Sequence, residues 1–347
     1  MTLMTALRAV TLAMEESLRV AAMRWLLTPA ARWLPRGWAM ALADAVGLLL
    51  LVLPRSGLQA YCEVARAFDL GPVRNGLTAW RRLARPMRDF VFFGRLLHGR
   101  EEDLGRRLVE RNADGVSHLR AAGESFIVAT AHVSREATAG LYYPLHPSGH
   151  RINVIAPVPT RVASVGERRA QLYYGTACKA LALDLFGQLE QVFVSPEHAR
   201  PGLEISRKLR DKGTIAYIHV DAPWSWRKAE RGVHERPFAG ACSQVFATGI
   251  GRLARAARCP IVTCIPYLQD DHSIVLEWGT PFHPGDDDVE TLNTLLDTIE
   301  VAVAKRPEQY MLQIGRGRRW KQQLRRWEAR AESALKPHIA SGNARGV

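Results

Sequence analysis

The chain has 347 residues, 47% of them hydrophobic and 23% charged, and a formal net charge of +13. That composition excludes a largely disordered chain, a collagen-like chain and a multi-pass membrane protein, and it leaves one large domain or two small ones. The positive balance suits an anionic partner such as nucleic acid, an acidic carrier protein or anionic lipid.

The first residues show no secretory signal-peptide pattern, because charges recur at Arg8, Glu15, Glu16, Arg19 and Arg24. Met4 to Trp33 mixes apolar residues with arginines and with Trp25 and Trp33. The mixture predicts an amphipathic helix at a membrane interface, with an ordinary helix packed on a globular body as the alternative. Trp38 to Leu53 is the most apolar stretch and carries only Asp44 as a charge. It falls short of the roughly 20 residues of a full span, so it reads as a buried core helix, a short anchor or an interfacial helix. Trp80 to Arg100 is helical and basic, with an apolar cluster at Phe90, Val91, Phe92 and Phe93. Residues 1–115 therefore read as an N-terminal helical, membrane-associating region.

From about residue 120 short apolar runs alternate with amphipathic stretches. Strands are predicted at Phe126–Ala131, Ile152–Ala156, Gln191–Val194, Thr214–Val220, Ile261–Tyr267 and Ser273–Trp278. Helices are predicted at about 134–142, 166–183, 202–211, 246–258 and 288–305, the last from Val289, Leu292, Leu296, Ile299 and Val303 at helical spacing. The alternation predicts an α/β fold over 116–314, with a mainly parallel sheet flanked by helices and its chemistry past the carboxyl ends of the strands. A basic tail with Trp320 and Trp327 occupies 315–347. The five cysteines are odd in number and lack a C-x-x-C pair, which reads as buried free thiols in a reducing compartment.

Four motifs carry possible chemistry. His132 follows the strand Phe126–Ala131, and Glu136 comes four residues later on the next helix. A carboxylate one turn on could orient the imidazole while its other nitrogen takes a proton. Gly249-Ile250-Gly251-Arg252-Leu253-Ala254 has the form of a dinucleotide fingerprint. The residues before it, Ala241 to Thr248, make a poor strand, so a helix start with Thr248 near its cap is the preferred reading. Glu235 to Gly240, with Arg236 beside an aromatic turn, could hold an anionic head group or be a simple loop. His219-Val220-Asp221 offers two metal-ligand types with no third, and no metal is expected.

The order of these blocks resembles the lysophospholipid acyltransferase superfamily, and within it the bacterial late acyltransferases of lipid A biosynthesis. The resemblance covers about residues 30–320. It rests on the apolar and basic N-terminal helices, on His132 and Glu136, and on Ala216-Tyr217-Ile218-His219-Val220-Asp221. It rests further on Arg236-Pro237-Phe238-Ala239-Gly240, on Phe246 to Arg255, and on Arg306-Pro307-Glu308-Gln309-Tyr310-Met311 with Arg318-Arg319-Trp320-Lys321. It implies a glycerolipid acyltransferase-like fold at the cytoplasmic face of a bacterial inner membrane, held peripherally or by a short N-terminal helix. The implied activity moves a fatty acyl chain from acyl carrier protein or coenzyme A to a hydroxyl or amine of a lipid or glycolipid. His132 would be the general base with Glu136 as its partner, and nearby amides or basic groups would stabilise the oxyanion. Arg168, Arg169, Asp221, Arg236, Phe238 and Gly240 would contact the acceptor. No cofactor and no nucleic acid are implied, and the +13 charge would serve the carrier protein and an anionic membrane surface. Three residues separate His132 from Glu136 where the family has four. A catalytically inactive lipid-binding or scaffold protein of the same fold is the alternative.

Overall fold

The computed structural model describes residues 14–310 apart from 16, 69, 102–103, 146–150, 158–188, 195–200, 222–231 and 239–241. The expected helix at 166–183 and the basic tail from residue 315 lie outside the described residues. So do Arg168, Arg169 and Gly240.

The alternating apolar runs form the body of an α/β fold. Seven strands pair in the order β1-β9-β8-β2-β5-β3-β4. They are β1 (Leu108–Arg111), β2 (Phe126–Thr130), β3 (Arg151–Pro157), β4 (Leu189–Val194), β5 (Thr214–His219), β8 (Ile261–Leu268) and β9 (Ile274–Trp278). The five strands β8, β2, β5, β3 and β4 run parallel. β9 turns back against β8, and β1 follows it in parallel, so these two strands at one end of the sheet oppose the other five. Because side chains alternate across a strand, the sheet sorts its residues into two cores. Phe126, Val128, Ile215, Tyr217, Val262 and Cys264 meet the N-terminal helices on one face. Ile127, Ala129, Ala216, Ile261 and Ile265 meet the C-terminal helices on the other. All five residues of β2 are buried, as a strand covered on both faces requires.

The N-terminal region is helical: α1 (Thr28–Trp33), α2 (Arg36–Val52), α3 (Pro54–Phe68) and α4 (Pro72–Leu97), with a π-helical turn over Ala22–Leu27. α2 lies close against α4, and a Cβ at Gly47 would come within 2.5 Å of Ala84. The packed face of α2 is Ala39, Met40, Ala43, Val46 and Leu50, all buried. Its other face is also apolar but exposed at Trp38, Leu48, Leu49 and Val52. Among the described residues no single helix is long and apolar enough to cross a membrane. Arg36–Val52 and Ser56–Arg66 reach that length and apolarity only together, across an 89° bend.

The body's helices are α5 (Asp114–Ala121), α6 (Arg135–Leu145), α7 (Pro201–Arg210), α8 (Gly249–Ala257) and α9 (Asp288–Lys305). α9 begins where expected because Asp287 caps it, its side chain accepting from the Val289 and Glu290 amides. One expectation is corrected here. The poor strand before Gly249 is a strand: β7 (Cys242–Ala247) pairs antiparallel with β6 (Val233–Phe238) in a separate two-stranded ribbon. The sequence conceals the ribbon because Glu235, Arg236 and Pro237 interrupt the apolar alternation of β6, while Phe238 and Phe246 are buried by packing edge-on at 5.4 Å. α8 accordingly starts at Gly249 rather than at 246. Thr248 occupies its N-cap but makes no side-chain capping bond.

Candidate functional site

Two adjacent parallel strands build the site. β2 and β5 are in register with Thr130 opposite His219, and the Val220 amide still donates to the Thr130 carbonyl at 3.0 Å. Each chain then leaves the carboxyl edge of the sheet. Two residues past that last pair stand His132 on one chain and Asp221 on the other. The Asp221 carboxylate accepts from the His132 backbone amide through Oδ2 at 2.8 Å. It meets the His132 ring at Nδ1 through Oδ1, also at 2.8 Å. A carboxylate only accepts, so the bonded Nδ1 carries the hydrogen, and in the neutral imidazole Nε2 keeps its lone pair. The His132 side chain is 31% exposed and that of Asp221 is fully buried.

The electrostatics follow from this contact. Burial pushes the Asp221 carboxyl up. The His132 imidazole, by its charge and by hydrogen bonds from ring and backbone, outweighs burial and holds Asp221 below its ordinary value. His219 lies against the other partner, its ring centroid 4.3 Å from that of His132 and tilted by 34°. Burial first, and then the neighbouring His132, lowers His219 to about 3. At neutral pH His219 is therefore an uncharged plate beside the His132 ring. His219 was not among the expected site residues; its signal is its place two residues before Asp221 at a strand end.

Glu136, the expected partner of His132, points elsewhere. Its carboxylate receives Arg36 Nη2 at 2.5 Å and Arg107 Nη2 at 2.6 Å. Burial raises its pKa, and the two guanidiniums bring it net below the usual range. Arg36 and Arg107 also reach Glu101, at 3.4 and 3.0 Å, and Arg95 binds Glu101 at 2.6 Å. Glu136 thus belongs to an ionic clasp between α2, α4 and α6. The reason is local: α6 begins only at Arg135, so His132 precedes the helix. The one-turn relation between positions i and i+4 does not apply there.

The expected acceptor block is also reassigned. Arg236 is spent on α9, binding Asp297 at 2.7 Å and Glu300 at 3.0 Å. Phe238 is fully buried and packs on Phe246 and Tyr310, so it is a core residue. A cavity of about 660 Å³ lies at the opposite, amino-terminal edge of the sheet beside Ser125, Arg210, Arg258 and His283, away from His132. Among the described residues no group of three or more His, Cys, Asp or Glu side chains could hold a metal ion. Of the cysteines, Cys259 and Cys264 are buried free thiols, raised by burial to about 12 and well above the ordinary value respectively.

The pair His132–Asp221 is a histidine whose outer nitrogen can take a proton and whose inner nitrogen is held by a buried carboxylate. Such a pair performs general base and then general acid chemistry on a bound hydroxyl, amine or thiol. No protein-family model matches the chain, and no curated protein matches it.

Proposed function

We propose that this chain is a membrane-associated acyltransferase that moves a fatty acyl group from a thioester donor to a hydroxyl or amine of a lipid or glycolipid. The donor is acyl carrier protein or coenzyme A. One observation carries the reading: His132 sits past the carboxyl end of a parallel strand, where α/β sheets hold their chemistry, with Nδ1 fixed by buried Asp221 and Nε2 unclaimed among the described residues. Nε2 takes the acceptor proton as the acceptor oxygen or nitrogen attacks the thioester carbonyl. The tetrahedral intermediate then collapses, the carbon–sulfur bond breaks, and the imidazolium returns the proton to the leaving thiolate. Asp221 stabilises the imidazolium between these two steps. No covalent acyl-enzyme is needed.

The N-terminal helices support the lipid side of the reading. Trp25, Trp33 and Trp38 are exposed at 69%, 64% and 73%, together with Leu26, Leu48, Leu49 and Val52. Arg24 lies over the Trp25 ring at 5.1 Å and Arg32 over the Trp33 ring at 4.7 Å. Large indoles beside arginines suit a bilayer interface, where the ring enters the acyl boundary and the guanidinium meets a head-group phosphate. The net charge of +13 adds attraction to an anionic leaflet and to an acidic carrier. The protein would then sit on the membrane by these helices.

Lipid mass spectrometry tests the proposal. Cells lacking the gene, and cells carrying His132→Ala at wild-type protein level, are expected to accumulate a lipid short of one acyl chain. Wild-type cells hold the complete species. Identical lipid profiles in all three would overturn the enzymatic reading and leave a lipid-binding protein.

A further inference from the structure

The loop that carries His132 is held from the far side of the sequence. Asp89, on α4, is fully buried and faces the start of α6. Its Oδ1 accepts from the Ser134 hydroxyl at 3.4 Å and from the Glu136 amide at 3.2 Å. Its Oδ2 accepts from the Arg135 amide at 3.4 Å. These amides open α6, where helix geometry leaves donors without partners inside the helix. The segment between His132 and the first helical bond is therefore clamped at one end by Asp221 and at the other by Asp89. Ser134 is buried within it, its carbonyl accepting the Thr138 amide at 2.9 Å. A carboxylate at this helix start is favoured by the dipole as well as by the three donors.

We propose that Asp89 is a positioning residue: the N-terminal helical region, through this side chain, sets the conformation in which His132 meets Asp221. The idea rests on the reading of His132 and Asp221 as the working pair, but its physical content is a contact geometry. Asp89 touches neither ring. It fixes the residues that follow His132 and so fixes the direction in which the ring leaves the sheet. Burial raises the Asp89 carboxyl, outweighing the neighbouring Arg85 and Arg135. Asp89→Asn keeps one oxygen acceptor and presents an N–H where the Arg135 amide needs an acceptor. Asp89→Ala removes all three bonds.

The test uses the full chain labelled with 15N-histidine. The hydrogen-bonded Nδ1–H resonance of His132 is assigned by its loss in His132→Gln. It is expected to be sharp in the wild type, broadened in Asp89→Asn and absent in Asp89→Ala. A merely structural role for Asp89 lowers the melting temperature and leaves that resonance in place below the transition. A wild-type resonance in either variant, folded by circular dichroism, would overturn the proposal; if Asp89→Ala does not fold, Asp89→Asn decides. Where acyl transfer is measurable, kcat in Asp89→Ala should fall about 100-fold with little change in acceptor KM, as expected for a misplaced catalytic group. A lost resonance in a protein whose wild type transfers no acyl group would uphold the positioning role and reject the enzymatic one.

Discussion

Asp221 and Glu136 lie at neighbouring places on the same edge of the sheet, and by several measures they are alike. Both are buried, and both are held below the ordinary carboxylate range against the opposing effect of burial. What faces them differs. Glu136 meets two guanidiniums, Arg36 and Arg107, which never release a proton near neutrality. Asp221 meets one imidazole, a group able to exchange a proton, whose second nitrogen has no hydrogen bond among the described residues. A depressed buried carboxylate therefore marks both a structural clasp and the proposed reaction centre. The partner's capacity to exchange a proton separates the two.

That separation can be broken most directly by removing each carboxylate in turn. Asp221→Ala should cost about 10²–10⁴-fold in kcat/KM for acyl transfer, the range seen when a histidine loses its orienting acid. Glu136→Ala should instead cost about 3 kcal/mol of stability by removing the buried carboxylate between Arg36 and Arg107, whose half-buried guanidiniums then keep only Glu101, measured by urea unfolding, with transfer per folded molecule largely kept. A catalytic collapse in folded Glu136→Ala would restore it as the functional partner.

A second test sharpens the comparison through pH. His219 is lowered to about 3 in the fold, against roughly 6.5 for an exposed histidine. The unfolded chain thus binds a proton that the folded chain refuses, so stability rises with pH between those two values and is lost as acid is added. His272 is lowered too, by burial and then by Arg88, and contributes in the same direction. The lowered carboxylates of Asp221 and Glu136 lose their contribution only further down, below about pH 4. Urea midpoints at pH 4.5 and 6.5 should therefore differ in the wild type and converge markedly in His219→Phe. An unchanged difference would mean that His219 is protonated in the folded protein.

The smallest effect is expected at Arg236. Its ion pairs to α9 involve Asp297 at 66% exposure, so Arg236→Ala should cost about 1 kcal/mol or less. Acceptor KM should not move. A raised KM without loss of stability would return Arg236 to the acceptor site.

Much of the fold was legible in the sequence because burial on two faces leaves a strong local imprint. β2, β5 and β8 read as apolar runs, and α9 as an apolar stripe. The ribbon β6–β7 was not legible. Its strands carry Arg236, Glu235 and Gln244, and their pairing is supplied by each other rather than by alternation within either one. His132 was legible as a residue at a strand end. Its partner was misassigned to Glu136 because spacing along the chain was the available measure of nearness. Asp89 left no signal at all, since a buried acid between Arg88 and Phe90 on an amphipathic helix resembles any surface charge.

The amino-acid order alone settled six strands of the large sheet, β2, β3, β4, β5, β8 and β9, and that an imidazole leaves the sheet at residue 132. Those are consequences of side-chain chemistry read at short range. Tertiary structure decided which acid that imidazole meets. The hydrogen-bond register between β2 and β5 sets residue 130 beside residue 219, and so brings 132 to 221. Register between parallel strands is fixed by the packing of the whole sheet and its crossover connections, and it leaves no trace in the interval between two residues.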